Sequence, residues 1–126
     1  MPKDIIETSR APAAIGPYSQ AVKVGNPVFI SGQIPLDPQT MEIASSDIDS
    51  QVNQVFDNLA AICAEAGGGL GDVVKFTVYL SDLRNFGAVN KIMETLLTPP
   101  YPARAAVEVS ALPRGALVEV DAILAL

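Results

Sequence analysis

SDIDSQVNQVFDNLAAICAEAGGGLGDVVKFTVYLS, residues 46–81, changes its hydrophobic period partway along, and that change decides the fold class. In its first part Ile48, Val52, Val55, Phe56, Leu59, Ile62, Cys63 and Ala66 fall at i, i+4, i+7, i+8, i+11, i+14, i+15 and i+18, one face of a helix. Ser46, with Asp49 three residues later, predicts a capping box in which aspartate replaces the usual glutamate. Gly67-Gly68-Gly69 stops the helix. Val74, Phe76, Val78 and Leu80 then alternate with Lys75, Thr77, Tyr79 and Ser81, the period of a strand.

Upstream, short strands are expected at Asp4 to Thr8, at Tyr18 to Val24 and over Val28-Phe29-Ile30, the last ending at Ser31-Gly32. The proline- and glycine-punctuated loop Ala11 to Pro17 separates the first two, and a Gly25-Asn26-Pro27 turn makes the next two a hairpin. Downstream, Asp82 predicts the N-cap of a second helix with an apolar stripe of Phe86, Val89, Met93, Leu96 and Leu97, stopped by Pro99-Pro100. Strands over roughly 103–110 and 117–124 flank a Pro113-Arg114-Gly115 turn. The order strand, strand, strand, helix, strand, helix, strand, strand predicts an α+β fold, a mixed six-stranded sheet with both helices packed on one face. If the last two strands form a hairpin, Glu119 faces Ser110, about six residues or roughly 20 Å from Arg104. That spacing predicts no tight intrachain Arg104–Glu119 pair; if the two converge at all, it is through a subunit interface.

The composition narrows the chemistry. At 126 residues, with 49% hydrophobic and 17% charged, the chain is expected to form one domain over 1–126. No run of 18 apolar residues predicts a membrane span, and Met1-Pro2-Lys3-Asp4 does not open a secretory signal. Cys63 stands alone, so no intrachain disulfide can form; the expectation is a cytoplasmic, reducing compartment. Eight basic residues against 14 acidic ones give a net charge of −6, which repels phosphate backbones and argues against nucleic acid as a partner. The absence of histidine removes the commonest general base and the commonest transition-metal ligand together. Carboxylates, Arg, Lys, Tyr, Ser and backbone groups must do any chemistry, and no cofactor is expected.

Arg104 follows Tyr101-Pro102-Ala103 at the start of a strand, so prolines fix its approach. Alternation places Arg104, Ala106 and Glu108 on one face of that strand. The planar guanidinium suits a carboxylate or phosphate held in a bidentate pair, or simply a neighbouring acid on the sheet. Glu119 and Asp121 share a face of the last strand, where they could perform acid–base work, bind a cation, or form a solvated surface. Gly67 to Gly71 follows a helix C-terminus, the wrong electrical end for an anion loop, and reads as a connector. Cys63 lies on the buried stripe with no basic neighbour and reads as structural; Lys75 has no feature to depress its pKa. Tyr18 and Ser31-Gly32 carry weak signals individually.

Together these segments resemble the RidA (YjgF) family of reactive-intermediate deaminases. The likeness runs through Ala11 to Gln20, Ser31-Gly32-Gln33-Ile34-Pro35, Val73 to Leu80, Val89-Asn90, Pro102 to Val109, Leu112-Pro113 and Val118-Glu119-Val120. The resemblance implies a chorismate-mutase-like fold, a homotrimer with clefts between subunits, and hydrolysis of 2-imino acids and their enamine tautomers, such as 2-iminobutanoate and 2-iminopropanoate. It implies that Arg104 binds the substrate carboxylate and Glu119 orients or activates water. Tyr18, Ser31, Gly32 and Asn90 would line the pocket, and Ala106 would offer its backbone carbonyl to the substrate nitrogen. Three departures stand out: Ala106 where relatives often carry cysteine, a shorter stretch from Asn90 to Pro102, and Met93, Leu96 and Leu97 where aromatics are common. The alternatives are a sensor of small carboxylates, a ribonuclease or translation inhibitor, and a partner-regulating or chaperone-like protein.

Overall fold

The computed structural model describes residues 2–126. Strands β1 (Asp4–Ile6), β2 (Ala21–Lys23) and β3 (Pro27–Gln33) precede α1 (Ile48–Glu65) and β4 (Val73–Leu80). Helix α2 (Phe86–Leu96), β5 (Ala103–Glu108) and β6 (Val118–Ala125) complete the chain. The strands form one sheet in the order β1-β2-β3-β6-β4-β5, with β4 and β5 parallel and every other pair antiparallel. Both helices cover one face, as the order of elements predicts.

Alternation sorts the side chains. Val28, Ile30, Phe76, Val78, Leu80, Val118, Val120, Ala122 and Leu124 point at the helices and are buried. They meet Val52, Val55, Phe56, Leu59, Ile62 and Cys63 of α1, the expected stripe, and Val89 and Met93 of α2. Phe56 and Phe76 join helix to sheet edge-to-face, with ring centroids 5.5 Å apart. Cys63 is buried, and burial with the charge of Asp72 pushes its thiol up to about 11, as befits a structural cysteine. No helix is long and apolar enough to cross a membrane.

Several local expectations need correction. Asp47, not Ser46, caps α1: the helix begins at Ile48, so the residue in the extended N-cap position is Asp47, and its carboxylate accepts from the Ser50 amide at 2.9 Å. Asp82 caps a 3-10 turn, Leu83–Asn85, and α2 begins only after it. Strand β4 carries a bulge between Val73 and Lys75, which leaves Val74 exposed instead of in the core. Tyr18 lies outside β2, and Ser31-Gly32 sit inside β3, at an irregularity between Ile30 and Gln33.

The largest correction concerns the end of the chain. β5 and β6 are not a hairpin: β4 lies between them. The β4–α2–β5 crossover returns β5 parallel to β4, and β6 inserts antiparallel on the other side of β4. The Pro113–Gly115 turn therefore carries the chain across β4 and does not reverse it onto its neighbour.

Candidate active site

Arg104 is placed by the register of β5 on β4, opposite Phe76, and so on the helix-covered face. Its guanidinium lies 4.9 Å above the Phe86 ring. Its Nη1 donates to Asn90 Oδ1 at 2.8 Å and contacts Met93 Sδ at 3.8 Å. Phe86, Asn90 and Met93 recur at helical spacing along α2, so one helix face orients the arginine. No carboxylate takes part: the one ion pair among the described residues joins Arg84 to Asp82. Beside the guanidinium opens a cavity of about 310 Å³ lined by Asn90, Met93, Glu94, Leu97, Tyr101 and Pro102.

Glu119 stands opposite Tyr79 on β4, on the face the helices leave bare. Arg104 and Glu119 therefore occupy opposite faces of one sheet, three β4 positions apart along the strand, and are not bonded within the chain. Glu119 lines a second cavity, about 320 Å³, together with Tyr18, Gly32, Gln33 and Ile34. The close approach of Glu119 to β3 requires Gly32. A Cβ there would overlap a Glu119 carboxylate oxygen and come within 3.0 Å of the carboxyl carbon. Burial first, and the charge of Asp121 second, push the Glu119 carboxyl above the ordinary glutamate value. Asp121 accepts a hydrogen bond from the Tyr79 hydroxyl at 3.0 Å, which holds that phenol protonated beyond its usual range.

The remaining candidates divide between these two halves. Ser31 donates its hydroxyl to the Ser19 carbonyl at 2.6 Å, and its amide donates to the Gln20 carbonyl at 2.9 Å. It thereby fixes the segment that carries Tyr18. Gln20, buried, braces the same loop through Thr8, Ala11 and Pro12. Ala106 packs its methyl toward the core two residues beyond Arg104. The Val109 amide donates inward to Leu80 at 2.8 Å, so by alternation the backbone groups of Arg104, Ala106 and Glu108 face outward from the free edge of β5. The Ala106 carbonyl is thus open on that edge.

Sequence reasoning missed Phe86 as a site residue and reached Met93 only as part of a segment bordering the pocket, because a helical apolar stripe reads as core. Phe86 is only half-buried. Its ring contributes about 0.5–1 kcal/mol to an exposed cation. Phe86→Leu is expected to weaken binding of a small carboxylate about two- to fivefold by calorimetry, while Phe86→Tyr retains it. Equal affinities for all three proteins would remove the ring from the site.

An arginine without a carboxylate partner on one face of the sheet and a half-buried glutamate packed against Gly32 on the other are the two halves of the candidate site in this α+β protein. The comparisons are specific. Residues 8–126 match the family described as Endoribonuclease L-PSP. A RutC family protein of Pyrococcus abyssi is 52% identical over 98% of this chain and 97% of its own. The mouse 2-iminobutanoate/2-iminopropanoate deaminase is 46% identical over 96% of this chain and 90% of its own. The crystal structure of RidA from Psychrobacter superposes with a TM-score of 0.94 at 54% identity, covering 98% of this chain and 99% of that one. The Escherichia coli TdcF structure with bound serine gives 0.92 at 42%, with 98% of each chain covered. The chain belongs to the RidA (YjgF) family.

Proposed function

We propose that this protein hydrolyses 2-imino acids and their enamine tautomers, such as 2-iminobutanoate and 2-iminopropanoate, to 2-keto acids and ammonia. The observation that carries the reading is Arg104, held by an amide, a thioether and a ring and left without a carboxylate partner. The deaminase name of the mouse relative supports the reaction class. A protonated imine is already electrophilic, so water adds without a covalent nucleophile once the substrate is anchored. Arg104 binds the carboxylate in a forked pair, and the Ala106 carbonyl accepts a hydrogen bond from the substrate nitrogen. Glu119 takes a proton from water as the oxygen bonds to C2, and returns it to nitrogen. The C2–N bond then breaks as the new hydroxyl gives up its remaining proton to form the keto carbonyl, and that proton leaves with the nitrogen as ammonium.

The two halves cannot meet within one chain, so the reading requires a cyclic assembly, a homotrimer, in which Arg104 of one subunit faces Glu119 of the next. The bare sheet face favours such an assembly: Ile5, Phe29 and Val107 lie on it with 44–55% of their surface exposed. Ribonuclease chemistry is disfavoured by a net charge of −6 and the absence of histidine.

The test generates an imino acid in situ with an amino-acid oxidase or a dehydratase, traps the remainder with semicarbazide, and follows keto acid. The wild type should divert flux to the keto acid, and Glu119→Gln should lose about 100-fold or more. Because the base must be ionised, wild-type activity should fall as pH drops through a Glu119 pKa raised above its ordinary value. Carboxylate binding with no acceleration would make the protein a metabolite sensor. Full activity in Glu119→Gln would relieve that residue of its role.

A further inference from the structure

A second cation faces the Glu119 cavity. Arg114 lines it from the turn that leads into β6, where the other walls are chiefly the apolar Pro12, Ile15, Ile34, Leu36 and Pro113. Arg114 is held in left-handed backbone at φ 61°, ψ 18°. Its Nη1 donates to the carbonyl of Met41 at 3.1 Å, across 73 residues of sequence. Met41 is left-handed too, at φ 60°, and these two are the only non-glycine residues with positive φ among those described. Such backbone costs a side-chain-bearing residue roughly 1–2 kcal/mol. Both strained residues thus serve one contact, which tethers a long exposed side chain beside the cavity.

The tether uses a single N–H. Arg114 has no acidic partner among the described residues, although the chain carries 14 acidic residues. Glu119 owes its raised pKa to burial and to Asp121, with no opposing pull from a guanidinium, so Arg114 is not spent on it. A fork of unused donors therefore borders a cavity whose walls are chiefly apolar, with Tyr18, Gln33 and Glu119 as its other polar groups.

We infer that Arg114 forms a distal anion subsite, and that the site favours 2-imino acids whose side chain ends in a second carboxylate. This rests on the deaminase reading. If the substrate's own carboxylate occupies Arg104 of a neighbouring subunit and water sits at Glu119, the remaining substituent on C2 enters the Glu119 cavity. Apolar walls receive its methylene groups and Arg114 receives its terminal charge. The bond changes stay those of simple hydrolysis: water adds at C2, the C2–N bond breaks, and ammonia leaves.

Two measurements separate this inference from the reading beneath it. The first compares kcat/KM for an acidic and an aliphatic imino acid, both generated in situ by oxidases, in the wild type, Arg114→Gln and Arg114→Lys. The acidic-to-aliphatic ratio should fall about tenfold in Arg114→Gln and recover in part in Arg114→Lys. The second measures calorimetric binding of 2-oxoglutarate against 2-oxobutanoate, which needs no turnover. The wild type should prefer the dicarboxylate, and Arg114→Gln should lose that preference. Hydrolysis with a ratio indifferent to Arg114 overturns the subsite and leaves the deaminase. An Arg114-dependent dicarboxylate preference without hydrolysis of either imino acid overturns the deaminase and leaves the subsite.

Discussion

Arg104→Ala is expected to abolish imine hydrolysis, lowering kcat/KM at least 100-fold, and to weaken binding of a small 2-keto acid at least tenfold. The binding loss follows from the charge-assisted hydrogen bond itself, about 1.5–3 kcal/mol. The larger kinetic loss follows because the same contact orients C2 toward the water, and misorientation is paid in rate. Arg104→Lys should fall between. It keeps the charge but loses the planar fork that suits a carboxylate and the flat surface that stacks on Phe86, 4.9 Å away. The side chain is exposed and touches the core only at the Met93 sulfur, so thermal stability should stay close to the wild-type value. Imine trapping with semicarbazide and calorimetry read the two losses separately. Retained acceleration in a folded Arg104→Ala protein would refute the site.

The sequence made Arg104 conspicuous for a physical reason, and hid its surroundings for another. Periodicity is local. Helix α1 and strand β4 are legible because each repeats its apolar pattern over several turns or residue pairs, with the glycine run 67–71 separating the two periods. Strand pairing is not local. A Pro-Arg-Gly turn between two apolar strands reads as a hairpin, and nothing in residues 103–124 reveals that β4 lies between β5 and β6. The expectation that Arg104 and Glu119 do not bond within one chain agrees with the structure, but the cause is not a hairpin offset. They are separated by the sheet itself, since Arg104 shares the Phe76 face and Glu119 the Tyr79 face. Gly32 was visible only as a turn residue, because its use depends on a carboxylate from a strand more than 80 positions away. Arg114 read as a turn residue for the same reason: its tether to Met41 joins two loops that no short-range pattern connects.

The division of the site between two sheet faces makes a complementation experiment decisive. Arg104→Ala and Glu119→Gln chains, each inactive alone, should recover activity when unfolded together and refolded as mixed assemblies. In the proposed closed ring each site would take Arg104 from one chain and Glu119 from its neighbour. With equal and random mixing, half the chains supply an intact Arg104 and half the neighbours an intact Glu119, so about a quarter of the sites are complete. Recovery should approach a quarter of wild-type activity, measured as keto acid formed with semicarbazide present. Titrating the proportion of the two variants should give a maximum at equal amounts, because the complete fraction is the product of the two proportions. A site built within one chain behaves differently, since every chain then carries one defect and no mixture restores it. Mixed assemblies verified by mass, yet without activity at any proportion, would place both residues in a single-chain site that the β4 register does not allow.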